Sequence, residues 1–101
     1  MLYYVLLLTL VPITSAASSE TVIETQGLNI TCNITNGATG TVILRINGDP
    51  IMNSTITDST QVIVTFVIDE VSRYGGADCF MAQCTLGEYG SNPLVINVIP
   101  S

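Results

Sequence analysis

Histidine is absent from this chain of 101 residues, as is tryptophan, and only Arg45 and Arg73 carry positive charge. Without histidine there is no Ser-His or Cys-His couple for nucleophilic catalysis and no Cys/His zinc cluster. With two basic residues against eight acidic ones, the chain cannot neutralise a run of phosphates, which sets nucleic-acid binding aside. The acidity mainly supports solubility. The carboxylates are scattered, and no glycine run has phosphate-loop spacing. Asp69, Glu70 and Asp78 could offer calcium a weak site, but solvated surface carboxylates are the preferred reading. The pattern points away from an enzyme and calls for no metal, cofactor or small-molecule substrate.

Long apolar runs are also missing, apart from one at the start. Leu2–Ile13 is almost wholly apolar, and the small residues Thr14, Ser15, Ala16 and Ala17 follow it. The run is shorter than the roughly 20 residues of a spanning helix. An apolar core followed by small residues reads as a secretory signal peptide over residues 1–17, cleaved after Ala16 or Ala17. No Lys or Arg precedes it, which is unusual for such a leader. Residues 18–101 then form one small domain, secreted or extracellular. Three acceptor triplets fit that compartment: Asn29-Ile30-Thr31, Asn33-Ile34-Thr35 and Asn53-Ser54-Thr55. A secreted context also permits disulfides, which a small core usually needs.

Helical periodicity is lacking beyond the leader, and alternation takes its place. Leu28, Ile30, Cys32 and Ile34 share one face of "LNITCNI". Val42, Leu44 and Ile46 do so in "TVILRIN", and Val62, Val64, Phe66 and Ile68 in "VIVTFVI". Leu94, Ile96 and Val98 repeat the pattern in "LVINV". Period-two runs rich in Val, Ile and Thr are half-buried strands. Turn clusters separate them: "TNGATG", "NGDP", "RYGG" and "LGEYGSNP". The fold class is all-β, a sandwich of two sheets with about seven strands.

At this point the sequence resembles the immunoglobulin superfamily. "GLNITC" resembles the second strand of such a domain, and "ILRINGDPI" the third strand with its turn. "VTFVIDEVSRYGGADCF" resembles the passage to the second conserved cysteine, and "LVINVIP" the last strand. The match is to intermediate-type or constant-2-like domains and covers nearly all of residues 20–100. Two family marks are missing. Leu44 stands where the core tryptophan belongs, and no tyrosine sits two residues before either later cysteine.

The resemblance implies an inter-sheet disulfide from Cys32 to a later cysteine. Cys79 and Cys84 have opposite strand parity, so only one of them can face the core. Gly75 and the expected hairpin near Gly87-Glu88 favour Cys79. Cys84 is the alternative, and a local Cys79–Cys84 loop is a third possibility. In the Cys79 register Cys84 is left over, either for an intermolecular disulfide or as an idle thiol.

The resemblance also implies function at a surface. Glycans on Asn29 and Asn33 would cover the sheet containing the second strand and leave the other sheet bare. In the Cys79 register that bare sheet presents Ile43, Arg45, Phe80 and Val95, with Tyr89 on the hairpin after it. The expected role is binding another extracellular protein, or a second copy of the chain, in cell-surface recognition or adhesion. The alternatives are a spacer domain of a larger receptor or matrix protein and a soluble immune-modulating decoy. Membrane association would require an anchoring segment downstream.

Overall fold

A computed structural model describes residues 3–10, 18–34, 37–71, 73 and 79–100. Its strands are β1 (Tyr3–Leu10), β2 (Ser18–Ile23), β3 (Gly27–Ile34), β4 (Gly40–Ile46) and β5 (Asp49–Ile56). They continue with β6 (Ile63–Ile68), β7 (Cys79–Leu86), β8 (Tyr89–Gly90) and β9 (Leu94–Ile99). One sheet has the order β1-β3-β6, and the other β2-β9-β7-β4-β5 with β8 against β7. β1 lies in the stretch expected as a leader and pairs in parallel with β3. β2 pairs in parallel with β9, while β3–β6, β4–β5, β4–β7 and β7–β9 are antiparallel.

The alternating residues form the core between the sheets. Leu28, Ile30, Cys32 and Ile34 are fully buried from β3, as are Val42 and Leu44 from β4. Val64, Phe66 and Ile68 of β6 extend the β3 layer, and Leu94, Ile96 and Val98 of β9 belong to the opposite layer with β4. Val62 departs from the expected set: it precedes β6 and is 49 % exposed. Each fully buried side chain of this size contributes about 1.5–3 kcal/mol relative to exposure, so this interface dominates the stability of the domain.

The turns follow from local chemistry. Asn47 and Gly48 both have positive φ, 52° and 87°, the conformation that a two-residue hairpin loop requires. Pro50 enters β5, the outermost strand of its sheet, where a missing N–H costs no ladder bond. Between β5 and β6, Asp58 accepts from the backbone N–H and the hydroxyl of Thr60 at 2.9 and 2.8 Å. Those two bonds, the backbone one first, hold the Asp58 carboxyl below its ordinary pKa.

The disulfide corrects the favoured expectation. Cys32 is bonded to Cys84, not to Cys79, with the Cα atoms 6.1 Å apart, and Cys79 is an exposed free thiol. The reason lies in which face of β7 is the better core face. Phe80, Ala82, Cys84 and Leu86 are all buried, and Phe80 is the largest of the fully buried side chains. Ala82 pairs with Ile46 on one side and Leu94 on the other. The opposite register would send Phe80 into water and Cys79 and Met81 inward.

The Cys84 register demands a very tight hairpin directly after the cysteine. The chain makes that hairpin. Gly87 adopts φ 58°, and Tyr89 and Gly90 fold back onto Leu86 and Thr85. Ser91 then closes the turn. Its N–H donates to the Cys84 carbonyl at 2.9 Å, and its Oγ accepts from the Cys84 N–H at 3.0 Å. Gly75, which favoured the other register, lies outside the described residues.

Peptide mapping without reduction should recover Cys32 joined to Cys84. Cys79→Ser should leave the melting transition unchanged. Cys84→Ala should cost about 4 kcal/mol in the chain-entropy model for a loop of this size. Recovery of a Cys32–Cys79 peptide would reverse the assignment.

Candidate protein-binding face

The outer surface of the larger sheet is set by the same parity. From β7 it presents Cys79, Met81, Gln83 and Thr85, and from β4 Ile43 and Arg45. From β9 it presents Val95, Asn97 and Ile99, and from β2 Ser19, Thr21 and Ile23. The ladder places Met81 beside Val95, Cys79 beside Asn97, and Ile43 beside Thr85. Ile23 pairs with Ile99 across β2–β9.

Of the five residues expected on a binding face, Ile43, Arg45 and Val95 take outward positions of this sheet, and Tyr89 lies on β8 beside Leu86. Ile43, Arg45, Val95 and Tyr89 are half-buried. Arg45 is held in place: its Nε donates to Thr85 Oγ1 and its Nη1 to the Gly48 carbonyl, both at 3.3 Å. Phe80 is the correction. It is 2 % exposed and part of the core, because it shares parity with Cys84. The apolar residues that β7 and β9 show to solvent are Met81, 45 % exposed, and Ile99, 43 % exposed. In the Cys79 register Met81 would point inward. The signal that could have found it is Phe80: aromatic bulk competes for the interior more strongly than a thioether.

Met81 is also well anchored. Its N–H donates to Asn47 Oδ1 at 3.0 Å, and its carbonyl accepts from the Asn47 N–H at 2.8 Å. The β4–β5 turn is thereby fixed to the start of β7.

The acceptor asparagines fall on both sheets. Asn29 and Asn33 are half-buried on β3, beside the outward Val67 and Ile63 of β6, which are 48 % and 53 % exposed. Asn29 Oδ1 is buried with no hydrogen-bond partner among the described residues. Asn53 is exposed on β5 and pairs with Ile43. A glycan there would stand on the sheet expected to be bare, at its β4–β5 side. The acceptor-free part of that sheet is the β7–β9–β2 half.

At the other end of β4 an open cleft of about 520 Å³ lies between the segment preceding β4 and the β7–β8 hairpin. Ile43, Leu86, Glu88 and Tyr89 help to line it. Among the described residues no group of three or more His, Cys, Asp or Glu is placed to hold a metal ion. Asp78 lies outside the described residues.

No protein-family model matches the chain, and no curated protein sequence matches it. Among solved structures it is similar to the immunoglobulin-like domain of mouse leukocyte-associated immunoglobulin-like receptor 1, crystallised as a strand-swapped dimer. The TM-score is 0.63 at 18 % identity, covering 88 % of this chain and 98 % of that one. With the two-sheet topology and the inter-sheet disulfide, this establishes an immunoglobulin-like β-sandwich.

Phe80→Asp should unfold the domain, since it buries a charge without a partner and removes a core ring, a loss of more than about 3 kcal/mol. Met81→Asp should alter stability by no more than about 0.5 kcal/mol. Thermal melts of the two variants separate the two registers.

Proposed function

We propose that this chain is a secreted, glycosylated immunoglobulin-like domain that binds another protein through the β7–β9–β2 half of its larger sheet. One observation carries the reading. The outward positions of these three strands hold no charged residue and no glycosylation acceptor, yet they expose Met81 and Ile99. Uncharged, acceptor-free surface with two exposed apolar residues, on a chain of net charge −6, suits the centre of a protein contact, which is depleted in charge. A second copy is the partner this face fits most simply. Two copies of net charge −6 repel, and an uncharged face is where that repulsion is least. The strand-swapped dimer of the similar receptor domain supports self-association.

Residues 1–17 act in this reading as the leader, and their removal takes β1 away from β3. The β3 edge is then open. Asn29 and Asn33 stand beside it, and glycans there would hinder the addition of a stray strand.

The test is the solution mass of the protein secreted from eukaryotic cells, across concentration and with reductant. A reversible dimer that persists in reductant and is lost in Met81→Asp or Ile99→Asp is the expected result. A dimer abolished by reductant alone would be carried by the exposed Cys79 instead. A monomer throughout would reject self-association. A binding partner captured equally by wild type and Met81→Asp would reject the face.

A further inference from the structure

We propose that the free edge of β6 pairs, antiparallel, with the β6 edge of a second copy of the chain. This contact lies on the smaller sheet, goes beyond the Met81–Ile99 face and is independent of it.

β6 ends its sheet, with β3 on one side and no described strand on the other. Antiparallel partners alternate between pairs that exchange both backbone bonds and pairs that exchange none. The Ile34 N–H donates to the Val62 carbonyl at 2.8 Å, so Val62, Val64, Phe66 and Ile68 turn their backbone groups toward β3. Ile63, Thr65 and Val67 turn theirs away, to the free edge. The Gln61 side chain reaches that same edge, where its Nε2 donates to the Ile63 carbonyl at 3.4 Å. A row of open N–H and C=O groups is a template for another strand.

The other sheet edges are guarded. β2 carries Glu20, and β5 carries Pro50 and the glycan acceptor Asn53. β3, once β1 is removed, carries the acceptors Asn29 and Asn33. Charge, proline and bulky sugar all discourage strand addition. β6 has none of them. Ile63–Ile68 holds no charged residue, no proline and no acceptor, and Ile63 and Val67 are exposed.

Self-complementarity selects a second copy as the occupant. An antiparallel pair centred on Thr65 sets Ile63 opposite Val67 of the second copy and each Thr65 opposite the other. All the outward backbone groups of these residues then find partners. Gln61 meets Asp69 of the second copy, an amide donor against a carboxylate. Parallel pairing in register would set one Asp69 against the other. Two chains of net charge −6 thus meet along a strand where no carboxylate faces another.

β3 continues the match. Asn29 is opposite Val67 and Asn33 opposite Ile63, and Thr31 Oγ1 lies 3.2 Å from Thr65 Oγ1. In the joined sheet the central row is threonine throughout. Each flanking row runs from Asn29 through Val67 to Ile63 and Asn33 of the second copy. The two β3 strands stand three strand spacings apart, about 14 Å. Their glycans rise from the sheet face on either side of the apolar pairs, while the β6 strands meet in the plane of the sheet.

A shared strand edge buries less surface than a sheet face. This is the weaker contact, and it forms at concentrations above those at which the Met81–Ile99 face pairs. Two-fold contacts on opposite sheets join copies into a row instead of closing a dimer.

The test uses isotopically labelled secreted protein carrying Met81→Asp, which removes the contact proposed for the larger sheet. Amide hydrogen exchange is followed as the concentration is raised. The amides of Ile63, Thr65 and Val67 should exchange freely when dilute and become protected when concentrated, while those of Val64 and Phe66 stay protected throughout. Thr65 is exposed, so Thr65→Lys and Thr65→Glu leave the core intact. Each should weaken the association up to about fivefold, because like charges meet at the two-fold axis. An equimolar mixture of the two should restore it. Free exchange at every concentration, or a mixture that associates no better than either variant alone, would overturn the proposal. Protection independent of concentration would assign the edge to a segment of the same chain, and protection gained only on adding a different protein would assign it to that protein; either result also overturns it. The protected amides locate the contact. Failure of the Met81–Ile99 face therefore leaves this result standing, and failure here leaves that face standing.

Discussion

The Cys32–Cys84 bridge joins β3 in one sheet to β7 in the other, and the facing of every side chain on β7 is fixed by it. A strand shows alternate residues to opposite faces. Once Cys84 points inward, Phe80, Ala82 and Leu86 must follow, and Cys79 and Met81 must face water. The bridge thus decides more than chain entropy. It sets which half of β7 is core, which residues β4 and β9 meet there, and what the outer surface of the sheet is made of. Leu44 lies beside Cys84 in the β4–β7 ladder. Phe80 brings aromatic volume to the core from the other strand of that same pair.

Sequence and structure agree best where the determinant is local. The alternation in β3, β4 and β9 is a two-residue signal, and each of those faces is buried as read. Asn47-Gly48 is equally local, since its turn needs only the backbone freedom of those two residues. Agreement fails where the deciding contact is distant. Within Tyr74–Gly90 only the bulk of Phe80 favours one register over the other, and the neighbours that seat it, Ile46, Leu94 and Ile96, pair with β7 from elsewhere. The parallel pairing of β2 with β9 has the same character. "SSETVI" carries only a weak alternation and gains its place from a partner at the far end of the chain.

The candidate surface divides along the same line. Ile43, Arg45 and Val95 sit at outward positions of strands whose alternation is local, whereas Tyr89 lies on the hairpin beside the core residue Leu86. Phe80 inherited the error in the cysteine register. The cleft was not readable at all, because it forms only when the residues before β4 approach the β7–β8 hairpin. Asn53 shows a further limit. Its triplet is plain in the sequence, but its position beside Ile43 is a property of the β4–β5 register.

Cys79 and the bridged Cys84 lie on one strand, five residues apart and on opposite faces. Thiol–disulfide exchange requires the attacking sulfur to reach a bonded one. Here the sheet itself stands between them. The third thiol cannot scramble the bridge while β7 remains paired. It can do so before β7 has docked, or after it has been torn away. Choice among disulfide isomers is therefore made during folding and then locked by the strand, which makes the order of oxidation and sheet closure the step on which the yield of correctly bridged protein depends.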